Sequence, residues 1–192
     1  MPSPLRGLAL ALLLAGSARA GEPVPAPQAT VAPAAGGPAH APPAEAHPAG
    51  EWREYVLAEA GFAARFPAAP SHDVTEQGPL TLLTYGVEVG AGGGYGVVCM
   101  RFKGLPGDLP LETLDKMRDG MAAQYGGKLA SDRKTTAGGL PARDLTVEAE
   151  GELVTARIVL GKDRVFQMTA IAKGAALPPA EVRAFLDSFR PL

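Results

Sequence analysis

Apolar and polar residues alternate with a period of two through most of the last third of the chain. In residues 140–150, Leu145, Val147 and Ala149 point one way, and Asp144, Thr146 and Glu148 the other. That is the signature of a half-buried strand. In the next segment Val154, Ala156, Ile158 and Leu160 alternate with Thr155, Arg157 and Val159. The third, residues 164–173, is apolar on both faces: Phe166, Met168 and Ala170 oppose Val165 and Ile171, which marks a central strand covered on two sides. Glu150-Gly151 and Lys162-Asp163 provide the reversals. The period then changes. From Pro179 onward, Val182, Phe185, Leu186 and Phe189 fall at i, i+3, i+4 and i+7, the stripe of a helix lying on a sheet. Glu181 near its start and Arg190 near its end suit the helix dipole.

Upstream, residues 52–58 and 62–66 read as short strands broken at Gly61, with Pro67 and Pro70 closing the second. Residues 73–76, 80–89 and 95–102 follow as strands, the last two rich in β-branched and aromatic side chains. A helix is predicted over 109–125. Asp108 is placed as its cap and Pro110 in its first turn, and Leu111, Leu114, Met117, Met121 and Tyr125 share one side. Gly126-Gly127 ends it, and the polar run 128–136 reads as an edge strand. The fold class predicted is α+β: an antiparallel sheet with helices packed on it, in one domain spanning 51–192.

The first 50 residues are of another kind. Arg6, the apolar run 7–16 and Ala18-Arg19-Ala20 form the pattern of an export signal over 1–20, with a mature start at Gly21. The apolar run is about 10 residues, and a helix needs about 20 to cross a bilayer. No cysteine follows it to carry a lipid. Residues 21–50 hold 10 alanines and 8 prolines and no aromatic residue, so they read as an extended, disordered linker. The expected location is exported, periplasmic or secreted, with no transmembrane span after signal cleavage.

Composition narrows the chemistry. The net charge is −2 with signs mixed along the chain, and no dense basic patch points to nucleic acid. Cys99 is the single cysteine, so no intrachain disulfide can form, and its apolar neighbours Val98 and Met100 read as core. His72 is the domain's one histidine and reads as a surface residue; His40 and His47 sit in the linker. The Gly-rich segment 90–94 lacks a following Gly-Lys-Ser/Thr and a helix, so it reads as a hairpin turn and not a phosphate cradle. Glu112, Asp115 and Asp119 read as a solvated helix face. Arg65, Arg101, Arg143 and Arg157 lie on strands, and a strand arginine beside apolar neighbours must find an acid or an anion. The sequence assigns no catalytic, cofactor-binding or metal-binding residue, and no cofactor.

Phe62-x-x-x-Phe66-Pro67, the Leu105-Pro106 turn with its helix, Gly139-Leu-Pro-Ala-Arg-Asp-Leu-Thr-Val147 and the closing Phe185-Leu-Asp-Ser-Phe189 together resemble the exported bacterial domains related to PsbP and the Mog-type factors. The resemblance implies an α/β/α sandwich around an antiparallel sheet, and members that mostly bind proteins without catalysis. The function expected is a non-catalytic, non-enzymatic protein-binding or assembly-support domain of the bacterial envelope. The alternative is a periplasmic module for a small apolar molecule or lipid, its pocket walled by the Met-bearing helix and the Gly-rich hairpin.

Overall fold

A computed structural model describes residues 51–90, 93–173 and 177–192. The predicted export signal (1–20) and linker (21–50) lie outside the described residues. The elements are β1 (Arg53–Leu57), β2 (Phe62–Phe66), β3 (Ser71–Gln77), β4 (Leu80–Val89), β5 (Gly93–Phe102), α1 (Glu112–Tyr125), β6 (Lys128–Ala137), β7 (Leu140–Ala149), β8 (Glu152–Leu160), β9 (Arg164–Lys173), α2 (Pro179–Asp187) and β10 (Arg190–Pro191).

Seven strands form one antiparallel sheet in the order β3-β4-β5-β9-β8-β7-β6. Period-two alternation sends the side chains of β4, β5, β7, β8 and β9 into two separate cores. On one face Leu114, Met117 and Met121 of α1 pack on Val98, Leu145, Val154, Ala156 and Ile158. On the other, Val97, Cys99, Phe166 and Met168 meet Phe62, Phe66, Phe185 and Phe189. β9 is the middle strand and is buried almost throughout, which explains its apolar residues on both faces. β6 is an edge strand, and its polar sequence keeps that edge unattractive to further pairing.

The second face corrects the expected α/β/α sandwich. Its cover is a second small sheet, β1-β2-β10, with only the nine-residue α2 beside it. Ten strands against two helices make the fold sheet-dominated among the described residues. β10 is not among the strands the sequence predicts, because the helical stripe runs on to Phe189 and places Arg190 near the helix end. The helix stops at Asp187, and Arg190 and Pro191 pair with Ala63 and Phe62 of β2, so Arg190 contributes nothing to the dipole. An aromatic network fills the space between the sheets. Phe62 packs edge-on to Tyr85 and Phe166 at 5.7 and 5.8 Å, and Phe189 lies 5.9 Å from Phe62 and 5.0 Å from Phe166.

α1 also differs from expectation. It begins at Glu112 with Leu111 as a cap lacking any side-chain hydrogen bond, so neither Asp108 nor Pro110 belongs to it. Leu111 is 62% exposed and lies outside the apolar stripe. Gly126 ends the helix in a left-handed conformation (φ +58°), as the Gly-Gly pair predicts. Gly138, in the β6–β7 turn, combines φ +56° with a close approach: a Cβ there would lie 2.2 Å from Pro191 Cδ. The hairpin tip is thereby fitted against β10.

Phe189→Ala removes the ring shared by both sheets and is expected to cost about 3–5 kcal/mol in urea unfolding. Val56→Asp, at a position 59% exposed, is expected to change stability by less than about 0.5 kcal/mol. Equal effects would contradict the two-sheet core.

Candidate functional site

The β7–β8 hairpin turns at Glu150-Gly151, where Gly151 has φ +74°. That turn fixes the register Asp144↔Arg157 and Arg143↔Ile158. Adjacent residues point to opposite faces, so the two arginines serve opposite sides of the sheet.

On the α2 face Arg157 is 8% exposed. Its Nε and Nη2 donate to the two oxygens of Asp144 at 2.6 and 3.1 Å, a bidentate pair. Its Nη1 donates to the Leu186 carbonyl and to the Asp187 carboxylate, both at 2.9 Å. A sheet cation thus holds the C-terminal end of α2, which has no basic residue of its own in its last turn. Arg133 of β6 adds a 2.8 Å contact to Asp144 from the exposed side. Burial works against the charge on Asp144, but the hydrogen bonds from Arg157 and Arg133 outweigh it, and the carboxyl is held below its ordinary range.

On the α1 face Arg143, also buried, reaches Asp115 at 2.5 Å and Asp132 at 3.1 Å. The Asp132 contact is an ion pair without hydrogen-bond alignment at Nε. Arg118 joins the same acids and Asp119. The carboxylates of α1 are therefore not a simple solvated face: Asp115 anchors the helix to the sheet. Arg65 and Arg101 find carbonyls in place of acids, Arg65 donating to Trp52 at 3.1 Å and Arg101 to Glu59.

Beneath α2 the floor of the sheet is left partly open. A groove of about 810 Å³ runs between α2 and the β6–β9 surface. Thr146, Thr155, Ala170 and Ala172 form its floor, and Leu153, Leu177 and Leu186 supply apolar wall. These small floor side chains leave the space unfilled. Arg183 of α2 lines the groove and makes no ion pair among the described residues. Neither expected wall, the Met-bearing helix or the Gly-rich hairpin, lines the groove. Met117 and Met121 of α1 are buried against the opposite face, and Gly90 and Gly93 belong to the β4–β5 reversal, of which residues 91–92 lie outside the described residues.

The remaining chemical candidates are dispersed. Cys99 is fully buried, 3.5 Å from the Ala60 carbonyl, and burial pushes its thiol up to about 11 despite nearby Arg164 and Arg101. A thiol that is protonated and shielded is no nucleophile. His72 is exposed on the edge strand β3, stacked on Tyr85 at 4.6 Å. His40 and His47 lie outside the described residues. Among the described residues no three His, Cys, Asp or Glu side chains gather as metal ligands, and no helix is long and apolar enough to cross a membrane. Sequence reasoning missed the groove, Arg183 and Asp187. The small residues Thr155, Ala170 and Ala172 on one face were the available signal.

No family model matches the chain, and no curated protein matches it. A solved structure of a protein of unknown function from Pseudomonas aeruginosa is similar over 70% of this chain and 88% of that one, at 16% identity and a TM-score of 0.39, a likeness too slight to carry an argument.

Arg157→Ala is expected to cost about 3–5 kcal/mol, because it strands Asp144 in a half-buried site. Arg133→Ala, removing only the exposed contact, is expected to cost under about 1 kcal/mol. Because the Asp144 carboxyl is held down in the folded state, its contribution is complete above about pH 4 and is lost as pH falls through the depressed value. Urea melts from pH 6 to pH 2 should therefore show a steeper acid loss in the parent than in Arg157→Ala.

Proposed function

We propose that this chain is an exported, non-catalytic module that binds a small elongated molecule in the groove beneath α2. The observation that carries the reading is the groove itself. Its volume of about 810 Å³ lies within the 300–1,000 Å³ of typical small-molecule sites. It combines an apolar wall with a few polar groups, the composition that binds and orients a ligand. A protein partner, the first expectation from sequence, calls for a broader surface of roughly 800 Å² per partner. The non-catalytic part of the reading rests on Cys99 and His72, neither of which lines the groove, and on the commitment of its two carboxylates, Asp144 and Asp187, to ion pairs with Arg157. Export rests on the pattern of residues 1–20.

Single-chain amphiphiles provide the probe. A ligand at 100 times its dissociation constant adds about 2.7 kcal/mol to stability, which a thermal melt resolves. The parent is expected to gain stability in such a series. Thr155→Trp, filling the floor, is expected to gain none. Leu153→Asp, at a position 41% exposed, leaves the fold intact and should also abolish the gain. A parent melt that no amphiphile moves would overturn the proposal. Export is read separately: protein recovered outside the cytoplasm should begin at Gly21, and retention of the whole chain in the cytoplasm would refute it.

A further inference from the structure

The charges around the groove are unequal. Three arginines line it, Arg133, Arg157 and Arg183, against two aspartates, Asp144 and Asp187. Both carboxylates are already engaged: Asp144 by Arg157 and Arg133, Asp187 by Arg157. The excess positive charge therefore sits on Arg183, which is exposed and has no acidic partner among the described residues. It opposes the sign of the chain as a whole, whose net charge is −2. From this imbalance we infer that the groove takes a single-chain amphiphile with a terminal carboxylate, a fatty-acid-type ligand. The chain lies along Leu153, Leu177 and the alanines of β9, and the head meets Arg183.

The chemistry of each part fits. Leu153 and Leu177 expose apolar surface that a hydrocarbon would remove from water. Thr146 and Thr155 lie on the floor without charge. A guanidinium matches a carboxylate with two parallel donors, and Arg183 is exposed and makes no side-chain hydrogen bond or ion pair among the described residues. A cationic head would meet Arg183 unfavourably. It would gain little from Asp144, both of whose oxygens are held by Arg157, or from Asp187, whose Oδ1 is already paired with the same guanidinium.

This inference rests on the binding reading above, and the test separates the two. Dodecanoate, dodecanol and dodecyltrimethylammonium, each below its micelle concentration, are titrated calorimetrically into the full chain and into its Arg183→Gln and Arg183→Glu variants. The parent should bind dodecanoate about three- to tenfold more tightly than the cationic probe, an exposed charge pair being worth no more than that. Arg183→Gln should level the series, Arg183→Glu should reverse it, and both should melt like the parent because Arg183 is exposed and makes no ion pair among the described residues. Equal binding of all three probes by the parent would sink the carboxylate inference and leave the groove reading standing. Binding of none would sink both. A carboxylate preference that survives Arg183→Glu would remove Arg183 from the site.

Discussion

The pairing of Arg157 with Asp144 is the contact on which the architecture of the α2 face depends. Four hydrogen bonds from one guanidinium join β8 to β7 and both to the end of α2. α2 is nine residues long, too short to be stable by itself, and its C-terminal turn offers a carbonyl and a carboxylate that need a cation. The sheet supplies that cation. Breaking a buried pair costs about 3–5 kcal/mol, a large share of the 5–15 kcal/mol that holds a domain folded. Burial of Phe185 and Leu186 fastens the helix on its inner side, and Arg157 fixes where its end must lie.

Arg143 repeats the device on the opposite face. It stands one residue before Asp144 in β7, and the strand's alternation turns it toward α1, where Asp115 receives it. Two neighbouring register positions thus anchor the two helices to opposite sides of one sheet. The arrangement has a geometric consequence. α2 is tied at its C-terminal end to the middle of the β7–β8 hairpin, so it covers β8 and β9 and leaves the β6 side of that face uncovered. The groove runs between α2 and this surface, from the β8 and β9 floor toward the uncovered β6 side. It is a product of where the ion pair sits, combined with threonine and alanine at positions where larger residues would have closed it.

That dependence explains how far the sequence was legible. Strand alternation placed β7, β8 and β9 and the faces of their side chains, because period-two patterning records local exposure directly. The need of Arg143 and Arg157 for acidic partners was also visible, since a charge on a mostly apolar strand has few alternatives. The identities of the partners were not: Asp187 is 30 residues from Arg157 and meets it only once α2 docks. β10 escaped notice for the same reason. A two-residue strand has no period, and Arg190-Pro191 is a strand only because β2 lies beside it. The α/β/α expectation failed because nothing in the local pattern of β1 and β2 shows that they pair apart from the main sheet, with β10 as their third strand. Leu111 misled in another way, as an apolar residue in phase with a helix that begins one residue after it.

Under the proposed binding, the ion pairs also decide what the groove can discriminate. Arg157 is committed four times over and cannot release Asp144 to a ligand without losing α2. Selectivity therefore falls to the uncommitted Arg183, at the solvent edge, where salt screens charge over about 8 Å at physiological ionic strength. Such a group ranks ligands weakly. The apolar wall, at roughly 25 cal/mol for each Å² removed from water, supplies most of the affinity. A site built this way orders ligands by chain length before head charge, and retains that order when the salt concentration rises.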